Sequence, residues 1–165
     1  MRVLGIDSGS RVTGYGVIDG DGADCVFVSC GVIRVRPSEP LADRLHTIYR
    51  GIMDVISKVQ PEAAAFEGIF YAQNVQSALK LGHVRGVCMA AVAEAKLPVY
   101  EYSPLEVKCA VTGFGRAEKP QVQHMVCTLL KLKSRPEEYD ASDALAVAIC
   151  HAHSNRLKQA MAGRP

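Results

Sequence analysis

Two short apolar runs in this chain each end in an acid, and that placement restricts the fold more than any other feature. Residues 2–6 (Arg-Val-Leu-Gly-Ile) read as a β-strand that Asp7 closes. Ser8-Gly9-Ser10 turns the chain, and Thr13–Ile18 reads as a second strand. Asp19-Gly20-Asp21-Gly22 is a hairpin signal, after which Cys25–Arg34 reads as a third strand. Ala63–Glu67 (AAAFE) is a short buried strand, again closed by an acid. Aspartate is depleted in strands and costly to bury without a partner. Asp7 therefore either caps the turn at Ser8-Gly9 or aims a carboxylate into a site.

The rest of the chain predicts what surrounds those strand ends. Leu41, Leu45, Ile48, Ile52, Val55 and Val59 recur at steps of three and four, the stripe of an amphipathic helix that Pro61 stops. Asn74 opens a helical stretch to about Lys96, and Pro98–Tyr102 is a fifth strand. Ser103-Pro104-Leu105-Glu106 is a capping box with proline at the first helical position. Thr112–Arg116 (TGFGR) is a glycine loop, followed by a helix from about Ala117 to Leu132, a loop over Ser134–Tyr139, and an alanine-rich helix from Asp140 to about His153. The expected architecture is an α/β fold, a five-stranded mixed sheet flanked by helices. A single domain is expected over 1–153, with a flexible polar tail over 154–165.

At 165 residues the chain can bury a substantial core. No apolar run is as long as a membrane span, and no basic-then-apolar leader opens the chain. The six cysteines form no CxxC pair, which argues against a zinc site and for reduced thiols in a cytoplasm. The net charge of +2 is unevenly spread. Residues 1–79 carry 7 basic and 9 acidic groups, residues 80–135 carry 9 and 4, and residues 136–165 carry 3 and 4. A basic middle beside acidic flanks suits a polyanion-binding face next to a carboxylate cluster.

Asp140 and Asp143, three apart, share one face of the last helix. Alone, they read as acids complementing a helix N-terminus. Together with Asp7 and Glu67 they can converge at one sheet edge. Hard oxygen donors without His or Cys suit Mg²⁺, with Mn²⁺ as a substitute. Two such ions can support in-line phosphoryl displacement. An ATP-binding domain of the actin and sugar-kinase type also opens with a strand bearing an aspartate, but it needs a second similar half.

The stretches "GIDSGSRVTGYGVID", "FEGIFYAQNVQSALKLGHVRG", "AEKPQVQHMV" and "DASDALAVAICH" resemble the bacterial RuvC Holliday junction resolvases, in order and over nearly the whole chain. The resemblance implies a ribonuclease H-like fold, a homodimer, and Mg²⁺-dependent paired nicking of four-way junction DNA. It also implies the RuvA and RuvB branch-migration proteins as partners and no membrane association. The family's catalytic, metal-holding acids fall on Asp7, Glu67, Asp140 and Asp143. Basic positions near its active site fall on Lys108 and Lys119, with roles in holding the scissile phosphate or offsetting charge. DNA contacts are expected at Phe70, Tyr71, Asn74, Lys80, Arg85, Arg116 and the same two lysines, with Phe70 against unstacked bases. Lys80 and Arg85, on the long helix, read as phosphate-positioning or structural. Ser8, Gly68 and Gln73 depart from the family pattern.

Gly82, Gly86 and Ala90 recur every four residues on one helix and permit close backbone approach, either to the chain's own sheet or, as the resemblance implies, to a second copy across a two-fold. His151 and His153 face apart on a helix and make poor metal partners. His124 reads as a helix-surface residue. A junction-binding protein without catalysis is the alternative reading.

Overall fold

The computed structural model describes residues 1–22, 24–68 and 75–162, with side chains as far as Asn155. Three strands come first: β1 (Arg2–Asp7), β2 (Val12–Asp19) and β3 (Val26–Arg34). Helix α1 (Leu41–Val59) and β4 (Ala63–Glu67) follow, then α2 (Val75–Glu94) and β5 (Val99–Tyr102). Three helices complete the chain: α3 (Pro104–Thr112), α4 (Lys119–Leu129) and α5 (Tyr139–Ala162). The sheet order is β3-β2-β1-β4-β5. The first three strands are antiparallel, whereas β4 and β5 run parallel to β1, so the sheet is mixed as expected.

Side chains alternate across a strand, and that parity builds two cores. Leu4, Ile6, Ala64 and Phe66 face α1 and α2. Val3 and Ala65 face the other way, against α3, α4 and α5. Asp7 and Glu67 share the parity of Val3 and Ala65, so both carboxylates point to the α5 side. The parallel pairing of Ile6 with Phe66 brings those two strand ends level.

Helix boundaries follow local chemistry. Gln60 ends α1 in the left-handed region (φ 48°), just ahead of Pro61. The capping box at Ser103 is present in full, with both reciprocal bonds to Glu106. One expectation is corrected. The last helix, expected to end at about His153, runs on to Ala162. No proline or glycine interrupts 140–162, so nothing breaks the backbone ladder before Gly163.

Candidate active site

Helix α5 lies almost directly on β1 and β2 because glycine lines its seat. A Cβ built on Gly5 would sit 2.0 Å from the Ala144 carbonyl oxygen. One on Gly14 would sit 2.0 Å from the Asp140 carbonyl oxygen, and one on Gly16 would sit 2.5 Å from the Leu145 nitrogen. Only glycine lets backbone approach backbone this closely. The helix answers with Ala141, Ala144 and Ala148, all buried. The N-terminal turn of α5 thus comes down beside Asp7, which pairs with Gly14 across β1 and β2.

A second contact fixes the same turn. Ser142, fully buried between the two helical acids, receives a 3.2 Å hydrogen bond from Nε2 of Gln123 on α4. That amide also donates to the Pro136 carbonyl at 3.3 Å. Arg34 on β3 pairs with Glu138 just ahead of α5.

Asp7, Glu67 and Asp143 line one cavity of about 160 Å³, together with Lys108, Lys119, Val107, Val122 and Ala146. Asp140 does not line it, yet its charge is felt at Asp7. Lys119 opens α4 and donates from Nζ to Asp143 Oδ2 at 3.0 Å. Its side chain is 68% exposed, so the ammonium is free to swing. Larger clefts, of about 450, 480 and 380 Å³, lie around 112–125, between β3 and 130–136, and between β3 and α1, and none gathers more than one carboxylate.

The electrostatics of the cavity are strained by like charge. Burial, then the charges of Asp143, Glu67 and Asp140, push the Asp7 carboxyl up to about 7. Burial, followed by the Asp143 charge, also raises Glu67, against opposing pulls from Lys119, Lys108 and Arg85. Lys119 is raised by its hydrogen bond to Asp143. Among the described residues, no three His, Cys, Asp or Glu side chains form a closed metal cage. The donor chemistry nevertheless fits a hard divalent cation. The acids that line the cavity offer carboxylate oxygens, whose mutual repulsion a cation would lower.

Several expected site residues lie elsewhere. Phe70, Tyr71 and Asn74, with the departure at Gln73, fall outside the described residues. Lys80 and Arg116 are exposed. Arg85 is turned inward, its side chain 11% exposed and paired with Glu101 at 2.7 Å. His151 is buried against Tyr102, with Nδ1 2.8 Å from the phenol oxygen, and His153 Nδ1 lies 3.1 Å from the Ala110 carbonyl. His124 lies on the outer side of α4, as its surface reading expects. Gly5, Gly14, Gly16 and Gln123 are residues on which the site depends that the sequence reading passed over. The alternating strand glycines were the visible signal.

A family model described as crossover junction endodeoxyribonuclease RuvC matches residues 3–151. The chain belongs to the RuvC family. A RuvC from Syntrophotalea carbinolica is 57% identical over 157 residues, 95% of this chain and 97% of its own. One from Aliivibrio salmonicida is 50% identical, covering 98% of this chain and 92% of its own. The structure of Thermus thermophilus RuvC in complex with Holliday junction substrate superposes with a TM-score of 0.91 at 36% identity, over 96% of each chain. The yeast mitochondrial Holliday junction resolvase, 14% identical with a TM-score of 0.68 over 95% of this chain and 80% of its own, shares the fold. The ribonuclease H-like architecture of RuvC is thus that of this chain. RuvC-family nucleases are metal-dependent.

Proposed function

We propose that this RuvC-family protein is a cytoplasmic endonuclease that resolves four-way DNA junctions by paired, symmetric phosphodiester hydrolysis. The observation that carries the reading is the convergence of Asp7, Glu67, Asp143, Lys108 and Lys119 on one cavity at the sheet edge. Asp7, Glu67, Asp140 and Asp143 are the residues that would hold Mg²⁺, or Mn²⁺ in its place, as two ions per site. Such ions would supply Lewis-acid chemistry, activating a water and offsetting charge on the leaving oxygen.

The chain's own groups do the positioning. Lys108 and Lys119 border the carboxylates, so an anionic phosphate entering the cavity meets cations on that side. Lys119 gives up Asp143 to reach it, which its exposed stem permits. Arg116 and Lys80, exposed outside the cavity, suit contacts to the DNA backbone, and by the family resemblance Phe70, Tyr71 and Asn74 contact DNA too, Phe70 against unstacked bases. Among the described residues no helix is long and apolar enough to cross a membrane.

The test is incubation with an end-labelled four-way junction and Mg²⁺, followed by mapping of the nicks. Two nicks related by two-fold symmetry are expected, with binding that weakens steeply as salt rises. Junction binding without cleavage would favour the non-catalytic alternative. Equal nicking of linear duplex would mark a general nuclease.

Paired nicking needs two sites related by a two-fold, and α2 offers the surface for a homodimer. A Cβ on Gly82 or Gly86 would meet nothing within 4 Å, so these glycines do not serve packing on the chain's own sheet. Ala90 is exposed on the same face, with Leu79 58% and Val75 74% exposed beside it. Gly86→Leu is therefore expected to leave the monomer fold intact, since leucine is the better helix former by about 0.8 kcal/mol. In sedimentation the variant should dissociate at concentrations where the native chain is dimeric. Single-nicked intermediates should then accumulate on a cruciform plasmid. A fully dimeric Gly86→Leu variant would move the interface off this face. The reading includes RuvA and RuvB as partners on the same junction.

A further inference from the structure

Arg85 reaches the end of β4 from the face of the sheet opposite the cavity. Its guanidinium donates through Nη1 to the backbone carbonyl of Glu67 and through Nη2 to Glu101 Oε2 at 2.7 Å. Its Cζ lies 5.5 Å from the centroid of the Phe66 ring. One planar cation therefore grips the ring of Phe66, the carbonyl of Glu67 and, through Glu101, the neighbouring strand, where Glu101 pairs with Phe66. Beyond Glu67, the Gly68 amide donates to the Tyr102 carbonyl at 2.7 Å, so the same strand end is tied from both sides. The Glu67 side chain, of opposite parity to Phe66, emerges on the cavity side.

One turn along α2 from Arg85, the buried Cys88 thiol faces the buried Ser8 hydroxyl, next to Asp7. The inner flank of α2 thus binds the back of the β4 end through Arg85 and lies close behind the β1 end at Cys88. Its outer face, at Gly82 and Gly86, is open.

We propose that Arg85 is a positioning residue for Glu67, holding the end of β4 so that the carboxylate is presented to the metal-binding cavity on the other face. The role depends on the fork of the guanidinium, which engages a carbonyl and a carboxylate at once where a lysine can hold only one. It rests on the reading of the cavity as a metal site. It also implies that whatever docks on α2 bears on Glu67 through the same helix.

The test compares the full-length native chain with Arg85→Gln, Arg85→Lys and Glu101→Gln. Mn²⁺ binding is measured by calorimetry without DNA, alongside thermal unfolding and the Mg²⁺ dependence of junction cleavage. Partners that orient metal ligands typically contribute about 10–100-fold in affinity. Arg85→Gln is expected to weaken Mn²⁺ binding by about tenfold or more, with Arg85→Lys and Glu101→Gln in between, because each keeps one of the two contacts of the fork. A folded Arg85→Gln that is less heat-stable but binds Mn²⁺ with native affinity would reduce Arg85 to packing and overturn the proposal. Should Arg85→Gln fail to fold, native affinity in Arg85→Lys overturns it equally. Failure of the native chain to bind Mn²⁺ at all would instead count against the metal reading of the cavity.

Discussion

Asp7→Asn is expected to abolish junction cleavage while making the metal-free protein more stable at pH 8. Burial and three neighbouring carboxylates push the Asp7 carboxyl from 3.8 to about 7 in the folded chain. The folded state therefore holds a proton that the unfolded state releases near pH 4. Stability from that proton is present in full below about pH 4, declines as pH rises toward about 7, and is gone above it. Over the interval from 3.8 to about 7 the loss amounts to about 4 kcal/mol. Asparagine mimics the protonated acid at every pH. In the metal-free state the variant should unfold on the order of 10 °C above the native chain at pH 8, and near the native temperature at pH 4. Mg²⁺ should narrow the gap at pH 8 by stabilising the native chain through binding, with little effect on the variant. Thermal scans at both pH values, with and without Mg²⁺, read all of this. A metal-free native chain as stable as Asp7→Asn at pH 8 would mean that the carboxylates do not crowd one another.

Gly14→Ala should damage the site from a distance, through the backbone alone. Its Cβ would lie 2.0 Å from the Asp140 carbonyl oxygen and 2.4 Å from the carbonyl carbon, and no flexible side chain is there to yield. The first turn of α5 must retreat by about 1 Å or more to restore contact distance. Overpacking of this kind costs about 1–3 kcal/mol, or a fall in Tm of about 2–12 °C. The displaced turn carries Asp140 and Asp143, and a shift of about 1 Å in positioned groups can cost on the order of a hundredfold in rate. Cleavage should therefore fall far more than stability does. Alanine at Gly82, where nothing of the same chain lies within 4 Å, supplies the matched control for the fold and should leave the Tm of the monomer unchanged or raised. Native cleavage rates in Gly14→Ala would show that α5 can slide on its seat without moving its acids.

The contrast between Gly14 and Gly82 also separates what could be read in the chain from what could not. Both are glycines in regular elements. The sequence singled out Gly82, with Gly86 and Ala90, because four-residue spacing marks one face of a helix. It left open whether that face meets the chain's own sheet, and the open space around Gly82 and Gly86 excludes this. Gly5, Gly14 and Gly16 passed unremarked because their purpose depends on α5, which lies more than 120 residues further along. Arg85 shows the same limit. Its place on a helix was legible, but a guanidinium looks the same in sequence whether it meets a phosphate or a backbone carbonyl.

By itself the sequence determined the elements and the chemistry. Apolar period, turn residues and the capping box at Ser103 are local signals, decided by a few neighbouring dihedrals and hydrogen bonds. The four acids were conspicuous because a carboxylate at a strand end violates local preference, and such violations concentrate at functional sites. The last helix extends past Ser154 because polar composition does not stop a helix where no residue breaks the backbone ladder. Tertiary structure alone decided that Asp7 and Glu67 stand level and face α5, that Asp143 joins them in one cavity while Asp140 acts on it by charge, and that Lys119 comes close enough to pair. Those outcomes depend on strand register, on the glycine seat beneath α5 and on which helices cover which face of the sheet. Each is a contact between residues far apart in the chain, so no local pattern encodes it.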